Sequence, residues 1–354
     1  MSASPAENKR TIAITGGAGF IGSNLLRLLV PKYPDQLFVN VDCLTYAGNL
    51  DSLTDVEHYP NYRFEKVDLC DSTLLASVLS KYTVGGIIHL AAETHVDRSI
   101  LAPASAISTN IIGTFNLLEY CRTQQEQGHQ VRFHHVSTDE VFGSLEAPGT
   151  FTEESPYRPS SPYAASKASA DHLVRSYAKT FDLDTVISNC SNNYGPYQFP
   201  EKLIPLIIRN AQQGLPLPIY GDGGHKRDWL HVNDHCLALE MIFLHGRSGE
   251  SYLVGGNSDI TNLELVKSLC RILSQRSERE YESLIQFVAE RPGHDRRYAI
   301  DHTKISSELG WHPSVTLTEG LQRTVDWYCD HTEWVDRCIN GEYQLFYQQH
   351  YGNR

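Results

Sequence analysis

The sequence predicts an α/β protein: a doubly wound parallel sheet in the first half, followed by a smaller C-terminal α/β substrate domain. Two observations predict it. Short apolar runs of strand length alternate with helical patterns from Thr11 to Asn189, as expected of parallel strands joined by crossover helices. The glycine-rich and polar residues also fall where those strands stop, at Gly16, Asp42, Asp68, Glu93–Thr94 and Thr138–Asp139–Glu140. Open α/β sheets keep their ligands there. Beyond Ser191 the elements become shorter and less regular, so the expected domains are 1–190 and 191–354, with some later segments returning to the first.

Composition bounds the rest. The 354 residues are 41% hydrophobic and 20% charged, as in a globular protein with a sizeable core. No run approaches a membrane span, and Met1 to Arg10 is polar, so a cytoplasmic protein without membrane contact is expected. A net charge of -12 argues against nucleic acid as a partner. The eight cysteines are scattered with no C-x-x-C, and the sixteen histidines show no H-E-x-x-H. Reduced thiols and no metal are expected.

Taken in order, Thr11 to Thr15 reads as a strand, then come Gly16-Gly17-Ala18-Gly19-Phe20-Ile21-Gly22 and an apolar helix from Ser23 to Val30. Glycines in this strand–turn–helix setting let backbone N–H groups approach a pyrophosphate at the helix N-terminus. The next strand, Leu37 to Val41, leads to Asp42, twenty residues after Gly22. A carboxylate there accepts hydrogen bonds from ribose hydroxyls and repels a 2′-phosphate. Cys43 follows, with no arginine beside it. The first domain is therefore expected to be Rossmann-like and to bind NAD in preference to NADP.

Tyr62 to Val67 is the third strand, Ser72 to Tyr82 a helix, Gly86 to Ala92 a buried strand, and Ala104 to Cys121 a long helix containing Thr109 and Asn110. The Val131 to Val136 strand runs into Thr138, Asp139 and Glu140. Neighbours on a strand point to opposite faces, so this acidic pair serves one pocket only if the strand has already ended. Paired carboxyls with split pKa values can donate one proton and remove another; an acidic loop end in solvent is the alternative. Ser161 makes a good N-cap and Pro162 a good first helical residue, which stacks Tyr163 and Lys167 on one helix face. A nearby ammonium and an oxidised nicotinamide would favour the phenolate. A surface Tyr and Lys at helical spacing is the bland alternative.

After a strand from Thr185 to Asn189, Pro200 to Pro205 opens a helix, Pro216 to Tyr220 is extended, Gly221 to Gly224 turns, and Lys226 to Leu230 follows. Arg291 to Arg297 is a second basic loop. Lys202, Arg227 and Arg291 can hold a diphosphate, or make ordinary surface ion pairs. Trp229, Trp311, Trp327 and Trp334 are expected to pack in cores.

The set Gly16-x-x-Gly19-x-x-Gly22, Asp42 and Tyr163-x-x-x-Lys167 resembles the extended short-chain dehydrogenase/reductases. Ser137-Thr138-Asp139-Glu140-Val141 is similar to the nucleotide-sugar 4,6-dehydratases, since related 4-epimerases lack the Asp-Glu pair. The blocks Leu90 to Ser99, Ser191 to Pro205 and Arg291 to Asp301 carry the same likeness, from roughly Thr11 to the C-terminus. The resemblance implies an NAD-dependent lyase that oxidises C4 of dTDP-glucose, eliminates water across C5 and C6, and returns hydride to C6; UDP-glucose is the alternative substrate, and a non-catalytic NAD-binding sensor the alternative from another class. It implies catalytic roles for Thr138, Asp139, Glu140, Tyr163 and Lys167. Phe20, Ile21, Asp42, Asp68, Leu69, Ala91, Ala92, Thr109, Tyr163, Lys167 and Asn193 would contact NAD. Thr94, Thr138, Asn192, Lys202, Leu203, Pro218, Tyr220, Arg227, Asn262, Arg291 and His294 would contact the nucleotide sugar. It also implies a homodimer built on the Tyr-Lys helix. Thr94 stands where the family often has Ser, and Cys43 where it often has Lys.

Overall fold

The computed structural model describes residues 11–145 and 148–339. The first half runs β1 (Thr11–Thr15), α1 (Phe20–Lys32), β2 (Phe38–Asp42), β3 (Tyr62–Lys66), α2 (Ser72–Leu79) and β4 (Val84–His89). It continues with α3 (Val96–Leu101), α4 (Pro103–Ile107), α5 (Gly113–Glu126), β5 (Arg132–Thr138), α6 (Pro162–Phe181) and β6 (Thr185–Cys190). The second half holds β7 (Asn192–Tyr194), α7 (Leu203–Gln213), β8 (Leu217–Tyr220), β9 (Lys226–His231), α8 (Val232–His245), β10 (Ser251–Val254) and β11 (Asp259–Thr261). It ends with α9 (Asn262–Ser277), β12 (Ile285–Val288), α10 (Thr303–Leu309), α11 (Leu317–Asp330) and α12 (Thr332–Cys338).

Seven strands form one sheet in the order β10-β6-β5-β4-β1-β2-β3, every pair parallel. The chain winds outward from β1 in both directions, so the crevice between β1 and β4 is the switch point where such sheets bind ligands. Both faces are covered. Leu75, Val78, Leu117, Leu118 and Val174 pack on one side; Leu25, Leu26, Leu29, Val232, Leu239 and Phe243 pack on the other. The last three come from α8, so the chain re-enters the first unit after β9 and adds β10 to its sheet. A separate core of Ile204, Ile207, Leu265, Leu269, Leu321, Val325 and Trp334 holds the smaller lobe.

Two expected elements differ. The strand expected to reach Ala92 stops at His89, because Leu90 and Ala91 turn their N–H groups onto the Thr15 carbonyl (3.1 Å) and hydroxyl (3.3 Å). The long helix from Ala104 contains a π turn at Ser108–Ile112. Such turns insert one residue and recur at functional sites; here the turn carries Thr109 and Asn110. Trp229, Trp311 and Trp334 are buried as expected, and Trp327 packs partly buried against the core that holds Trp229 and Trp334. All eight cysteines lie among the described residues as free thiols. No helix among those residues is long and apolar enough to cross a membrane.

Candidate active site

A cleft of about 290 Å³ opens over the C-terminal ends of β1, β2 and β4, and every residue expected to touch the dinucleotide lines it, from Gly16 to Asn193. Gly16 has φ +70°, and a Cβ there would lie 2.6 Å from the Ala91 nitrogen. A Cβ on Gly22 would lie 2.2 Å from the Gly16 carbonyl oxygen. The loop therefore folds onto itself and onto β4 only without side chains. Gly19 caps α1 with no side-chain partner on the helix N-terminus, leaving N–H groups for an anion.

Asp42 accepts one backbone N–H on each carboxylate oxygen, from Ala18 (3.0 Å) and Leu44 (2.8 Å). Burial raises its pKa and these bonds oppose the rise. The remaining lone pairs suit ribose hydroxyls. Among the described residues, Lys167 and Lys202 are the cations lining this cleft and no arginine does, which leaves a 2′-phosphate no bidentate partner among them. The cradle fits NAD.

β5 ends at Thr138, and Asp139–Phe142 turns as a 3₁₀ helix, which is the break the acidic pair requires. The Thr138 hydroxyl donates to Asp139 Oδ1 (3.3 Å) and accepts the Glu140 N–H (3.3 Å); it also hydrogen-bonds Tyr163. Ser161 caps α6 by accepting the Ala164 N–H (3.1 Å), with Pro162 first in the helix. Lys167 Nζ donates to the Val136 carbonyl (2.9 Å). Asn110, in the π turn, ties this framework together through Ser166 (2.9 Å) and both backbone groups of Glu93.

Electrostatics separates the two carboxyls. Asp139 is buried, at 2% exposure, and desolvation with the nearby Glu140 and Asp228 pushes its pKa well up. Its Oδ2 has no hydrogen-bond partner in the protein. Burial also raises Glu140, but Arg291, Lys202 and Arg227 oppose the rise and leave it the less raised of the two. Asp139 thus suits a proton donor and Glu140 a base. Burial, Glu140 and Cys190 push the Tyr163 phenol well above its ordinary value in the protein alone, so the phenolate calls for the nicotinamide charge as well as the ammonium. Lys167 does not reverse this, being itself lowered to about 8 by burial.

A second cleft, of about 490 Å³, meets the first at Thr94, Glu140, Asn192, Glu201 and Lys202. Every expected nucleotide-sugar contact lines it except Thr138, which faces the dinucleotide side. Lys202, Arg227 and Arg291 all reach it, so they are not scattered surface charges. Arg227 lies 4.4 Å over the Tyr298 ring and donates to the Asp295 carbonyl (2.8 Å). Arg291 pairs with Asp97 at 3.3 Å, and its buried Nε has no partner. The Asn192 and Asn262 side-chain oxygens and Trp229 Nε1 are likewise buried without partners, polar atoms that a ligand must satisfy.

Among the described residues, His225, Glu290 and His294 bring donor atoms within 4.8 Å of one another. The two rings stack at 3.9 Å, and a cation bound in both ring planes cannot lie between stacked rings. Glu290 instead sits 2.6 Å from His294 Nδ1 and 3.4 Å from His225 Nε2, and Arg227 and Arg291 bear on His294.

Sequence reasoning missed Asp97, which also receives the Tyr220 hydroxyl (3.2 Å). It missed Glu201, buried beside His95 (3.5 Å), Arg98 (3.8 Å) and the Tyr46 hydroxyl (2.9 Å). It also missed Asp171, buried one turn beyond Lys167. Asp97 and Glu201 lie inside runs singled out from the sequence, but their partners are distant in the chain and give no local signal.

The family model described as GDP-mannose 4,6 dehydratase matches residues 13–324. The chain is 50% identical over 359 residues to a dTDP-glucose 4,6-dehydratase of Salmonella typhimurium, covering 97% of this chain and 99% of that one. It is 53% identical over 348 residues to the enzyme of that name from Neisseria meningitidis, covering 95% and 98%. A dTDP-glucose 4,6-dehydratase of Streptomyces venezuelae, crystallised with NAD, superposes with TM-score 0.87 at 45% identity, over 93% of this chain and 99% of that one. A UDP-glucose 4-epimerase of Thermotoga maritima shares the fold at TM-score 0.82 but is 28% identical, over 91% and 99%. With the Asp139–Glu140 pair set against Thr138 and Tyr163, the chain belongs to the nucleotide-sugar 4,6-dehydratase family, among its dTDP-glucose 4,6-dehydratases.

Proposed function

We propose that this chain is an NAD-dependent lyase converting dTDP-glucose to dTDP-4-keto-6-deoxyglucose and water, with Thr138, Asp139, Glu140, Tyr163 and Lys167 at the reacting carbons. The observation that carries the reading is the adjacent acid pair, freed from its strand and split in proton affinity by its surroundings. When bound, NAD supplies an exchangeable hydride acceptor and a positively charged ring. Tyr163 Oη takes the 4-hydroxyl proton, helped by the Thr138 hydroxyl and by Lys167. A ketone at C4 acidifies the C5 hydrogen, which Glu140 removes while Asp139 protonates the departing 6-hydroxyl. The net reaction moves the C4 hydrogen to C6, and a proton returns to C5.

Lys202, Arg227 and Arg291 hold the diphosphate, for which arginine offers paired donors. Thr94 and Asn192, where the clefts meet, orient the hexose; Leu203, Pro218, Tyr220, Asn262 and His294 wall the nucleoside. The working form is a homodimer. Supporting this, Ile100, Leu101, Ile107, Ile112 and Phe115 are all exposed on the helical run beside α6, an apolar patch that monomers rarely leave uncovered. Sedimentation should give a dimer that Leu101→Glu with Ile107→Glu splits; a monomeric wild-type protein would sink this part.

The test of the activity sets NAD-loaded protein on dTDP-glucose and UDP-glucose in parallel. The readouts are the near-ultraviolet chromophore of 4-keto-6-deoxy sugars in alkali and the mass lost as water. Faster turnover of dTDP-glucose supports both base and reaction. Loss of water from UDP-glucose alone changes the nucleotide, and no water loss from either overturns the proposal.

A further inference from the structure

Behind Lys167 lies a buried polar cluster to which the chemistry above gives no part. Asp171 follows Lys167 by one turn of α6, and both are sealed from water, at 0% and 3% exposure. A buried carboxylate and ammonium persist together only where the geometry compensates for lost hydration. Asp171 Oδ2 receives the Ser137 hydroxyl (3.0 Å), the Tyr157 hydroxyl (2.7 Å) and the Asn189 amide (3.2 Å). Arg175 donates to the Tyr157 oxygen (2.8 Å), which leaves the phenol hydrogen for Asp171. Burial works against ionisation, but His135, Lys167 and the Tyr157 hydroxyl together hold the Asp171 carboxyl below its ordinary pKa, so it is a carboxylate at neutral pH. His135 Nε2 stands between the charges, 3.2 Å from Asp171 Oδ1 and 3.4 Å from Lys167 Nζ.

We propose that Asp171 is a positioning residue for Lys167: a buried, ionised counter-charge that, across His135, keeps the ammonium charged and seated on the Val136 carbonyl. This rests on the reading of Lys167 as the cation that supports Tyr163. The groups facing the pair are His89 from β4, His135 from β5, Cys190 from β6, Tyr157 from the preceding loop, and Tyr163 and Arg175 from α6 itself. Burial keeps both histidines neutral, His135 at about 4 and His89 well below its ordinary value. Cys190 is pushed up to about 12 and stays a thiol at neutral pH. Burial pulls the Lys167 pKa down, and Asp171 is the largest opposing influence.

The sign follows directly. Activity that needs charged Lys167 is present below the lysine pKa and lost as pH rises through it, near 8 in the native protein. Without the Asp171 charge that pKa falls. Asp171→Asn, nearly isosteric, should move the alkaline limb of turnover down by about one pH unit or more, because an opposite charge within ~6 Å shifts a pKa by 1–3 units. At pH 8 the variant should lose about tenfold or more relative to its own value at pH 6. In a Lys167→Arg background, where the cation cannot titrate, adding Asp171→Asn should move no limb.

The measurement is steady-state turnover of dTDP-glucose by NAD-loaded enzyme from pH 6 to 9. A uniform loss at every pH, with the limb in place, overturns the proposal and leaves Asp171 a packing residue. Lys167→Met with undiminished turnover would instead overturn the reading on which it rests. Should Asp171→Asn fail to fold, a neutron map of the unmodified holoenzyme at pH 7 decides. Three deuterons on Lys167 Nζ and none on Asp171 are expected; a neutral lysine or a protonated Asp171 refutes it.

Discussion

The two glycines at the start of α1 differ in what restrains them, and single alanines separate fold from cofactor binding. At Gly22 a Cβ would sit 2.2 Å from the Gly16 oxygen and 2.7 Å from the Gly17 Cα. Both are backbone atoms of a tight turn that cannot move aside cheaply. Overpacking of this kind costs about 1–3 kcal/mol. Spread over an unfolding entropy of about 2 cal/mol/K per residue, that lowers the melting temperature by about 1–4 °C even without cofactor. At Gly19 the added carbon meets only the Gly16 oxygen, at 3.2 Å, and otherwise points into the open cleft. Gly19→Ala should therefore melt within about 1 °C of the parent, yet occupy the space where a pyrophosphate approaches the helix N-terminus. Its NAD affinity should fall by about tenfold or more, or 1.4 kcal/mol. The assays are calorimetric melting of cofactor-stripped protein and titration with NAD. If Gly19→Ala binds NAD like the parent, the pyrophosphate does not lie on this turn. If Gly22→Ala melts unchanged and binds normally, the turn is looser than the contacts imply.

Glu140→Gln should still oxidise C4, seen as reduced-cofactor absorbance after mixing with substrate, but should lose water about 10²–10⁴-fold more slowly; normal water loss would assign the base elsewhere. Tyr163→Phe should retain bound NAD and give no such absorbance; an undiminished signal removes Tyr163 from the first step. Arg291→Ala removes a charge-assisted contact of about 1.5–3 kcal/mol, so KM for dTDP-glucose should rise about 10–150-fold with a smaller change in kcat. A fall in kcat alone would place Arg291 at the reacting carbons instead of the diphosphate.

The sheet was legible because its signal is local. Strand-length apolar runs and the glycine turn depend on neighbours within a few residues, and β1 falls at Thr11–Thr15 as read. The cap on α6 was legible for the same reason. What sequence could not give is the environment of each site residue. Tyr163-x-x-x-Lys167 suggests a lowered phenol, but whether burial or charge prevails depends on Glu140 and Cys190, which lie on other elements. The π turn likewise needs Asn110 to reach Glu93 and Ser166 at once. Nor could periodicity show that α8 and β10 return to the first sheet, since their patterns differ little from those of the smaller lobe.

The division of labour between Asp139 and Glu140 is set from the other half of the chain. Desolvation raises both. Glu140 is raised less than Asp139 because Arg291, Lys202 and Arg227 reach it across the junction of the two clefts, whereas Asp139 has two carboxyls for close company against Arg227. Those same three cations are the ones proposed for the diphosphate. An anion seated on them takes up part of the field that holds Glu140 down, so its pKa should rise when the nucleotide sugar binds. The base then gains proton affinity in the complex where it is used. This is measurable, because kcat/KM reports groups in the free enzyme and kcat those in the complex. The acid limb of kcat should lie at higher pH than that of kcat/KM, and Arg291→Ala should narrow the gap by raising the free-enzyme value. Coincident limbs in the native enzyme would mean that the diphosphate and Glu140 do not share these cations, and the substrate would have to lie elsewhere in the cleft.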